Sequence, residues 1–333
     1  MGLSENIEMF NEIAGESLKK YGFEYSHQTE LLQISENITY MVRNKINHRK
    51  EFVLRLSRPG YHTVSELKAE LIWIREIQEY TPLIVAQPVP ATDGMYVKTV
   101  QAENKGESYT CVMFEFLPGK APDESDKKNA LKEFEKLGET TAYLHRQSKM
   151  WNSAHELKRF TWDYDTMIGE QARWGKWQDA RNMTPKALKL LDRTSQVIKK
   201  RLFIYGKDSK KFGLIHADLR LSNLLVEDEQ IKIIDFDDCG FGWYMHDMAT
   251  AVSFIEDKKN TPELLEAWKT GYSRIEHLSK EDVSEKDTFI MLRRLQLLAW
   301  LTSHSDSDPA KVLSVDFLEG TINLADKYMR KFG

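Results

Sequence analysis

Residues 212–254 read FGLIHADLRLSNLLVEDEQIKIIDFDDCGFGWYMHDMATAVSF, and this stretch decides the fold. An apolar segment leads to three polar residues, His216, Asp218 and Asn223. Two short apolar runs follow, separated by a polar turn, which is the pattern of a β-hairpin. The second run ends on Asp235. The stretch therefore predicts acidic and amide side chains at the ends of buried strands, where a rigid frame fixes them and solvent still reaches them.

This pattern contains the residue types that phosphoryl transfer requires. One carboxylate accepts the proton of the attacking hydroxyl, while an Asn and a second carboxylate hold the metal ions that neutralise the phosphates. The protein-kinase signature is HRDxxxxN followed by DFG, and this chain has HADxxxxN followed by IDFD. We predict that Asp218 is the base and that Asn223 and Asp235 are metal ligands. A single acid at a hairpin end would mean little, but here four residues are in register with the signature.

The stretch resembles the catalytic core of the aminoglycoside phosphotransferase and choline kinase-like family, which includes kinase-fold homoserine kinases and a bacterial stress-response kinase. The resemblance implies an α+β fold of the protein-kinase-like, two-lobed type. Residues 1–117 would form a small nucleotide-binding lobe with a five-stranded antiparallel β-sheet and one main helix. Residues 118–333 would form a mainly helical lobe for catalysis and acceptor binding. ATP and Mg²⁺ are the implied cofactors.

A cation for the nucleotide phosphates is expected on a small-lobe strand. Arg55 lies in the strand-like run EFVLRLS, at the place where kinases carry a lysine, and Lys98 is the fallback. Thr63 and Glu66 fit a capping box at the start of the next helix. Glu70, one turn further on, is the predicted ion-pair partner of Arg55, because a kinase carries a glutamate on this helix.

Other nucleotide contacts are predicted from position alone. The first hairpin contains no glycine, so backbone amides around Asn37 are expected to meet phosphate oxygens. Backbone groups of Glu115 to Leu117, before a natural hinge, are expected to bind the adenine edge. His216 is assigned to holding the catalytic loop by hydrogen bonding, with help from Asp247.

The acceptor hydroxyl must lie against Asp218, on a floor formed by the large lobe. Acids mixed with aromatic faces suit an ammonium group through Coulomb attraction and cation–π contact. The alternative is that the acids bind the metal or cap the next helix and that the aromatic residues are core. The residues predicted to bind the acceptor are Asp237, Asp238, Trp162, Trp243 and Trp300, with Asp163, Tyr244, His304 and Asp306 as further candidates.

Composition and charge narrow the class of protein. The chain has 333 residues and a formal net charge of −4, which favours neither nucleic acid nor an anionic membrane as partner. Its two cysteines lack the spacing of a zinc or redox motif, and a P-loop motif is absent. With no signal-peptide pattern and no long apolar run, the sequence predicts a cytoplasmic protein.

The predicted function is ATP- and Mg²⁺-dependent transfer of the γ-phosphoryl group to a hydroxyl of a small, amino-bearing molecule. A Ser/Thr protein kinase of the stress-response type is the alternative. Against it, Ala217 replaces the arginine that reads activation-loop phosphate, and only the 11 residues 236–246 separate Asp235 from Asp247. A nucleotide-binding pseudokinase is a third reading, which the intact Asp218, Asn223 and Asp235 disfavour.

Overall fold

The computed structural model describes residues 3–102, 106–122, 129–304 and 316–333. The chain divides into two compact units. The first comprises Met1–Gly119, Leu157–Arg159 and Glu227–Asp237, and the second comprises the remaining residues. The division into lobes at residue 118 stays a prediction. The first unit differs from the predicted small lobe because it also contains two short segments from later in the chain, Leu157–Arg159 and Glu227–Asp237.

The α+β fold class is confirmed, with strands concentrated in the first half of the chain and helices in the second. None of the described helices is long and apolar enough to cross a membrane. In chain order the elements are α1 (Leu3–Tyr21), β1 (His27–Ile34), β2 (Asn37–Asn44), β3 (Lys50–Ser57), α2 (Val64–Tyr80), β4 (Ile84–Val85), β5 (Pro88–Val89), β6 (Val97–Ala102), β7 (Glu107–Glu115), α3 (Ala130–Met150), β8 (Thr161–Trp162), α4 (Tyr164–Met167), α5 (Pro185–Tyr205), β9 (Phe212–Ile215), β10 (Leu224–Glu227), β11 (Gln230–Ile233), β12 (Gly240–Trp243), α6 (Tyr244–Thr250), α7 (Thr261–Tyr272), α8 (Lys280–Ser303) and α9 (Phe317–Phe332).

The main sheet of the first unit is antiparallel, with strand order β1-β2-β3-β7-β5 and β6 paired to β7. Within the described residues it has six strands rather than the five predicted. The count differs because residues 86–100, which look like one strand in the sequence, contribute to two, β5 and β6. A turn separates them, where Gly94 has a φ of 79° and the Asp93 side chain accepts from the Met95 amide. β11 pairs with β4 in parallel.

Helix α2 begins at the predicted capping box. Thr63 Oγ1 accepts from the Glu66 amide at 3.2 Å, and the Glu66 carboxylate accepts from the Thr63 amide at 2.8 Å. The helix packs its apolar side into the first unit. Glu70 lies on this buried side and is completely inaccessible to solvent, so its charge requires a partner.

Helices α3 and α7 of the second unit pack closely because each has a glycine at the contact. A Cβ atom at Gly138 would lie 1.9 Å from the Trp268 carbonyl oxygen, and one at Gly271 would lie 1.8 Å from the Glu135 carbonyl oxygen. Any side chain at either position would force the two backbones apart.

The catalytic stretch forms a small sheet in the second unit, where β12 pairs antiparallel with β9 and parallel with β8. The loop after β9 turns sharply at Ala217, whose φ of 66° is left-handed. A non-glycine residue adopts this conformation only where its surroundings hold it. That loop contains Asp218.

Two of the fully buried histidines of the second unit have lowered pKa values. Burial, followed by the charge of Arg293, lowers the pKa of His246 to about 3. Burial also lowers the pKa of His145, although Asp247 acts in the opposite direction. Both are therefore neutral in the folded protein at pH values where an unfolded histidine, with a pKa of about 6.5, takes up a proton.

Because the unfolded chain binds more protons, the free energy of unfolding should fall as pH decreases below about 6.5. His246 alone should contribute a loss of about 1 kcal/mol between pH 7.5 and pH 5.5. Urea unfolding at both pH values tests this with His246→Leu, which should lose less stability on acidification than the parent. His277→Leu, at an exposed position, is the control for the His→Leu substitution itself. Equal pH dependence of parent and His246→Leu would contradict a neutral buried His246.

Candidate active site in two parts

The predicted base, Asp218, is held at both carboxylate oxygens. Arg293 Nη2 donates to Oδ1 at 2.7 Å, and Asn223 Nδ2 donates to Oδ2 at 2.9 Å. The Asp218 side chain is 21% exposed, whereas that of Arg293 is 2% exposed. Each carboxylate oxygen has a second acceptor position, so Asp218 keeps the capacity to accept from a ligand hydroxyl.

The loop that carries Asp218 is anchored by the buried carboxylate of Asp247. Its two oxygens accept from the backbone amides of His216 at 3.0 Å and Ala217 at 2.7 Å. His145 Nε2 lies 3.1 Å from Asp247 Oδ2, and His145 Nδ1 lies 3.0 Å from the Tyr272 hydroxyl. Burial would raise the pKa of Asp247, but the hydrogen bond with His145 outweighs it and lowers the pKa.

These bonds explain how Ala217 is kept in its left-handed conformation. The structure also brings His216 and Asp247 to the loop as expected, with the Asp218 amide donating to His216 Nδ1 at 3.4 Å. That both residues serve only to support the loop stays a prediction.

Asn223 offers an oxygen suited to a metal ion. Its Nδ2 donates to the Asp218 carbonyl oxygen at 2.8 Å as well as to the Asp218 carboxylate, so the amide hydrogens are used and Oδ1 is left for a ligand. Hard cations such as Mg²⁺ prefer oxygen ligands and are commonly held by one or two protein groups plus substrate phosphates. Within the described ranges, no three His, Cys, Asp or Glu side chains gather as a metal site.

Asp235 also fits a metal-binding role. It follows β11, is exposed, and has a φ of 64°, a conformation that needs local support in a non-glycine residue. An exposed carboxylate at the end of a strand can be reached by a cation from solvent. Its assignment as a ligand stays a prediction.

Arg55 and Glu70 form a buried, bidentate ion pair in the first unit. Arg55 Nη1 and Nη2 donate to the two Glu70 carboxylate oxygens at 2.8 and 2.7 Å. Arg55 Nη1 also lies 3.4 Å from Asp237 Oδ1. Burial would lower the pKa of Arg55, but the charges of Glu70 and Asp237 raise it, so its guanidinium is permanently charged.

Asp237 requires a correction, because its carboxylate is buried within the first unit and faces Arg55, Asn37 and His62 rather than solvent. Asn37 Nδ2 donates to Asp237 Oδ2 at 2.8 Å, and His62 Nε2 lies 3.2 Å from the same oxygen. Burial would raise the pKa of Asp237, but Arg55, His62 and Arg159 together lower it well below its ordinary value. The side chain of Asn37 thus binds Asp237, whereas the sequence predicts only that backbone amides around Asn37 bind phosphate oxygens.

Lys98, Glu115 and Leu117 are the other residues predicted to contact the nucleotide. Lys98 pairs with Asp93 at a turn, so the fallback cation is engaged away from Glu70. The Glu115 amide donates to the Gln87 carbonyl oxygen at 2.8 Å, so this N–H is not available to an adenine edge. Leu117 is partly buried after the end of β7.

Two predicted acceptor residues, Trp162 and Trp243, also require correction, because both belong to the packed interior. Trp162 is 1% exposed and donates from Nε1 to the Asp238 carbonyl oxygen at 2.7 Å. Trp243 is 2% exposed and donates from Nε1 to the Gly206 carbonyl oxygen at 2.7 Å. Neither indole presents a face to a ligand.

Of the other residues predicted to bind the acceptor, some are accessible to solvent and others are buried or paired. Asp238 is half-buried, and the partly exposed Trp300 stacks on His304 with ring centroids 5.0 Å apart. Tyr244 is buried beside Ser148, and Asp163 caps α4 and pairs with Lys207. Asp306 lies outside the described residues. Asp238 and Trp300 therefore stay predicted acceptor residues.

Several residues of the site were missed by sequence reasoning. Arg293, His145 and His62 lie far along the chain from the carboxylates they contact. Arg159 lies equally far from the Asp237 carbonyl oxygen to which it donates, and no local pattern marks any of the four. Arg220 had a signal, since it stands two residues after Asp218, and its Nε lies 3.6 Å from Asp218 Oδ2.

Residues 30–282 match the model of a phosphotransferase enzyme family. The chain is 26% identical over 241 residues to an amicoumacin kinase of Bacillus subtilis (strain 168), a match that spans 72% of this chain and 66% of that protein. The match to an uncharacterised Synechocystis protein spans 61% of that relative. The chain thus aligns with slightly less than two thirds of these relatives.

Solved structures extend the similarity over nearly the whole chain. A microcompartment-associated aminopropanol kinase superposes with a TM-score of 0.87 and 37% identity, covering 97% of this chain and 98% of that protein. An amicoumacin kinase in complex with AMP-PNP and Ca²⁺ superposes with a TM-score of 0.75 at 20% identity, covering 98% of this chain and 96% of that protein. The kinase-like fold is thereby confirmed.

The neighbouring acids Asp237 and Asp238 should have separate roles. Asp237→Asn removes the charge that faces Arg55, so we expect a several-fold increase in the KM for ATP with little change in the KM for the acceptor. Asp238→Asn, which removes a half-buried carboxylate one residue later, should raise the KM for the acceptor and leave that for ATP unchanged. Steady-state kinetics with each substrate varied in turn measures both. The reverse pattern would restore Asp237 to the acceptor site.

Proposed function

The chain belongs to the phosphotransferase enzyme family, as its catalytic motif predicted, and we propose that it transfers the γ-phosphoryl group of ATP to a hydroxyl of a small amino-bearing alcohol. The observation that carries the proposal is the geometry of Asp218. Its carboxylate is fixed by Arg293 and Asn223, is partly exposed, and keeps free acceptor positions.

The chemistry follows from these groups. The acceptor hydroxyl donates its hydrogen bond to Asp218 and its oxygen attacks the γ-phosphorus. The O–H proton passes to the carboxylate, the new O–P bond forms, and ADP leaves with the bridging oxygen. Mg²⁺ when bound would neutralise the phosphates, with Asn223 Oδ1 and the Asp235 carboxylate as its proposed protein ligands.

Arg55 is proposed to bind the α- and β-phosphates. Its guanidinium is oriented by the bidentate bond to Glu70, and an arginine presents more donors than one carboxylate can use. Arg220 is proposed to contribute charge near the transferred group, since it is partly exposed and close to Asp218.

The acceptor class is proposed from the half-buried Asp238, the partly exposed Trp300 and the relative's name. A carboxylate and an aromatic face favour an ammonium group, and the aminopropanol kinase is named for an acceptor that combines an amine with a hydroxyl.

A cytoplasmic location is part of the proposal, because ATP is the donor. No observation favours the protein-kinase alternative, since β12 and α6 directly follow the IDFDD segment.

Asp218→Asn tests the base. The amide keeps the size of the side chain but cannot accept the proton, so kcat should fall ~10²–10⁴-fold. AMP-PNP affinity, measured by calorimetry, should stay within a factor of two. A residual kcat above one tenth of the parent value would remove Asp218 from this role.

The acceptor class can be tested with alcohols of matched size. 1-Amino-2-propanol should be phosphorylated with a kcat/KM at least tenfold above that of 1,2-propanediol, and Asp238→Asn should reduce this preference. The assay is coupled ADP release, confirmed by ³¹P NMR of the product. Equal rates for the amine and the diol in the parent would contradict a cationic acceptor.

A further inference from the structure

Helix α8 carries two consecutive buried arginines, Arg293 and Arg294, which are each 1% exposed. A buried guanidinium is costly unless a carboxylate and further acceptors compensate it. Their partners differ. Arg294 donates to Glu256, to the Thr321 hydroxyl and to the Phe317 carbonyl oxygen, and these contacts tie α8 to α9 and to the segment before α7.

Arg293 has a different set of contacts. Its Nη2 donates to Asp218 Oδ1 at 2.7 Å, Nε donates to the Ser253 hydroxyl at 3.0 Å, and Nη1 donates to Gln296 Oε1 at 3.2 Å. Its guanidinium carbon lies 5.3 Å from the centroid of the Trp174 ring. Within the described hydrogen bonds of Arg293, Asp218 supplies the carboxylate, and the other partners are neutral.

Those neutral partners hold the guanidinium at defined points. Ser253 and Gln296 bind two of its nitrogens, and the third is directed at Asp218. Because the group is planar and rigid, its contacts with the two side chains set the direction of the N–H that reaches the carboxylate. Asn223 binds the opposite oxygen. Asp218 is therefore clamped between two donors with fixed positions.

We propose that Arg293 is a positioning residue for phosphoryl transfer, which holds the Asp218 carboxylate in the orientation that accepts the acceptor's proton. This role rests on the proposed function. Arg293 does not touch the reacting atoms in the proposed arrangement, and it acts through Asp218. A misplacement of a reacting group by about 1 Å can cost ~10²-fold in rate, so the contribution should appear in kcat.

The first experiment compares Arg293→Lys with Arg294→Lys. A lysine keeps the charge but lacks the planar fork, so it cannot reproduce the contacts to Ser253, Gln296 and Asp218 together. Arg293→Lys should lower kcat for 1-amino-2-propanol by ~10²-fold while AMP-PNP affinity stays within a factor of two. Arg294→Lys should lower the melting temperature but keep kcat within threefold. An Arg293→Lys kcat above half the parent value would overturn the proposal.

A second experiment separates positioning from a general structural role. If Arg293 acts through Asp218, then the double variant Asp218→Asn/Arg293→Lys should be no slower than Asp218→Asn alone, since effects of residues that act as a unit are not additive. A further loss of tenfold or more in the double variant would overturn the proposal. Circular dichroism and melting curves check that each variant is folded.

The parent protein distinguishes this inference from the proposed function. A parent that phosphorylates no amino alcohol would overturn the proposed function and this role with it. An active parent with fully active Arg293→Lys would overturn this role alone.

Discussion

The buried carboxylate of Asp247 holds the loop that carries Asp218, the proposed base. It accepts two backbone amides from consecutive residues, His216 and Ala217, at 3.0 and 2.7 Å. Two such bonds from one side chain fix the orientation of the intervening peptide, and they stabilise the left-handed φ of Ala217. Since Asp218 follows directly, the position of the proposed base is set by a carboxylate 29 residues further along the chain.

A buried charge must be compensated, and this requirement explains the contacts of Asp247 and Asp218. Asp247 itself is compensated by amides and by a neutral His145 rather than by a full cation. Asp218 instead forms an ion pair with Arg293, which carries a full positive charge. A base that will gain a proton during reaction is better matched by a fixed cation and an amide than by a group that could itself take the proton.

Local sequence patterns predicted more of the fold and of the candidate site than composition did. The HADxxxxN and IDFD motifs and the Thr63–Glu66 capping box are short-range signals, and the cap is present as predicted. Trp162 and Trp243 are predicted to line a pocket because acidic residues lie near them in the chain, but both are in the core. The contact between Arg293 and Asp218 joins residues 75 positions apart, and nothing in either local sequence indicates it, because only the packing of α8 brings them together.

The three acids of the IDFDD segment illustrate how burial assigns different roles to identical side chains. Asp237 is surrounded by Arg55, His62 and Arg159, which lower its pKa and already satisfy its charge. A carboxylate compensated in this way attracts a further cation only weakly. Asp235 is exposed and Asp238 is half-buried, so both are more accessible to solvent than Asp237. Asp237 is therefore the acid that faces Arg55, the arginine proposed to bind phosphate. Asp235 and Asp238 are the acids proposed for the metal ion and for the acceptor's amine.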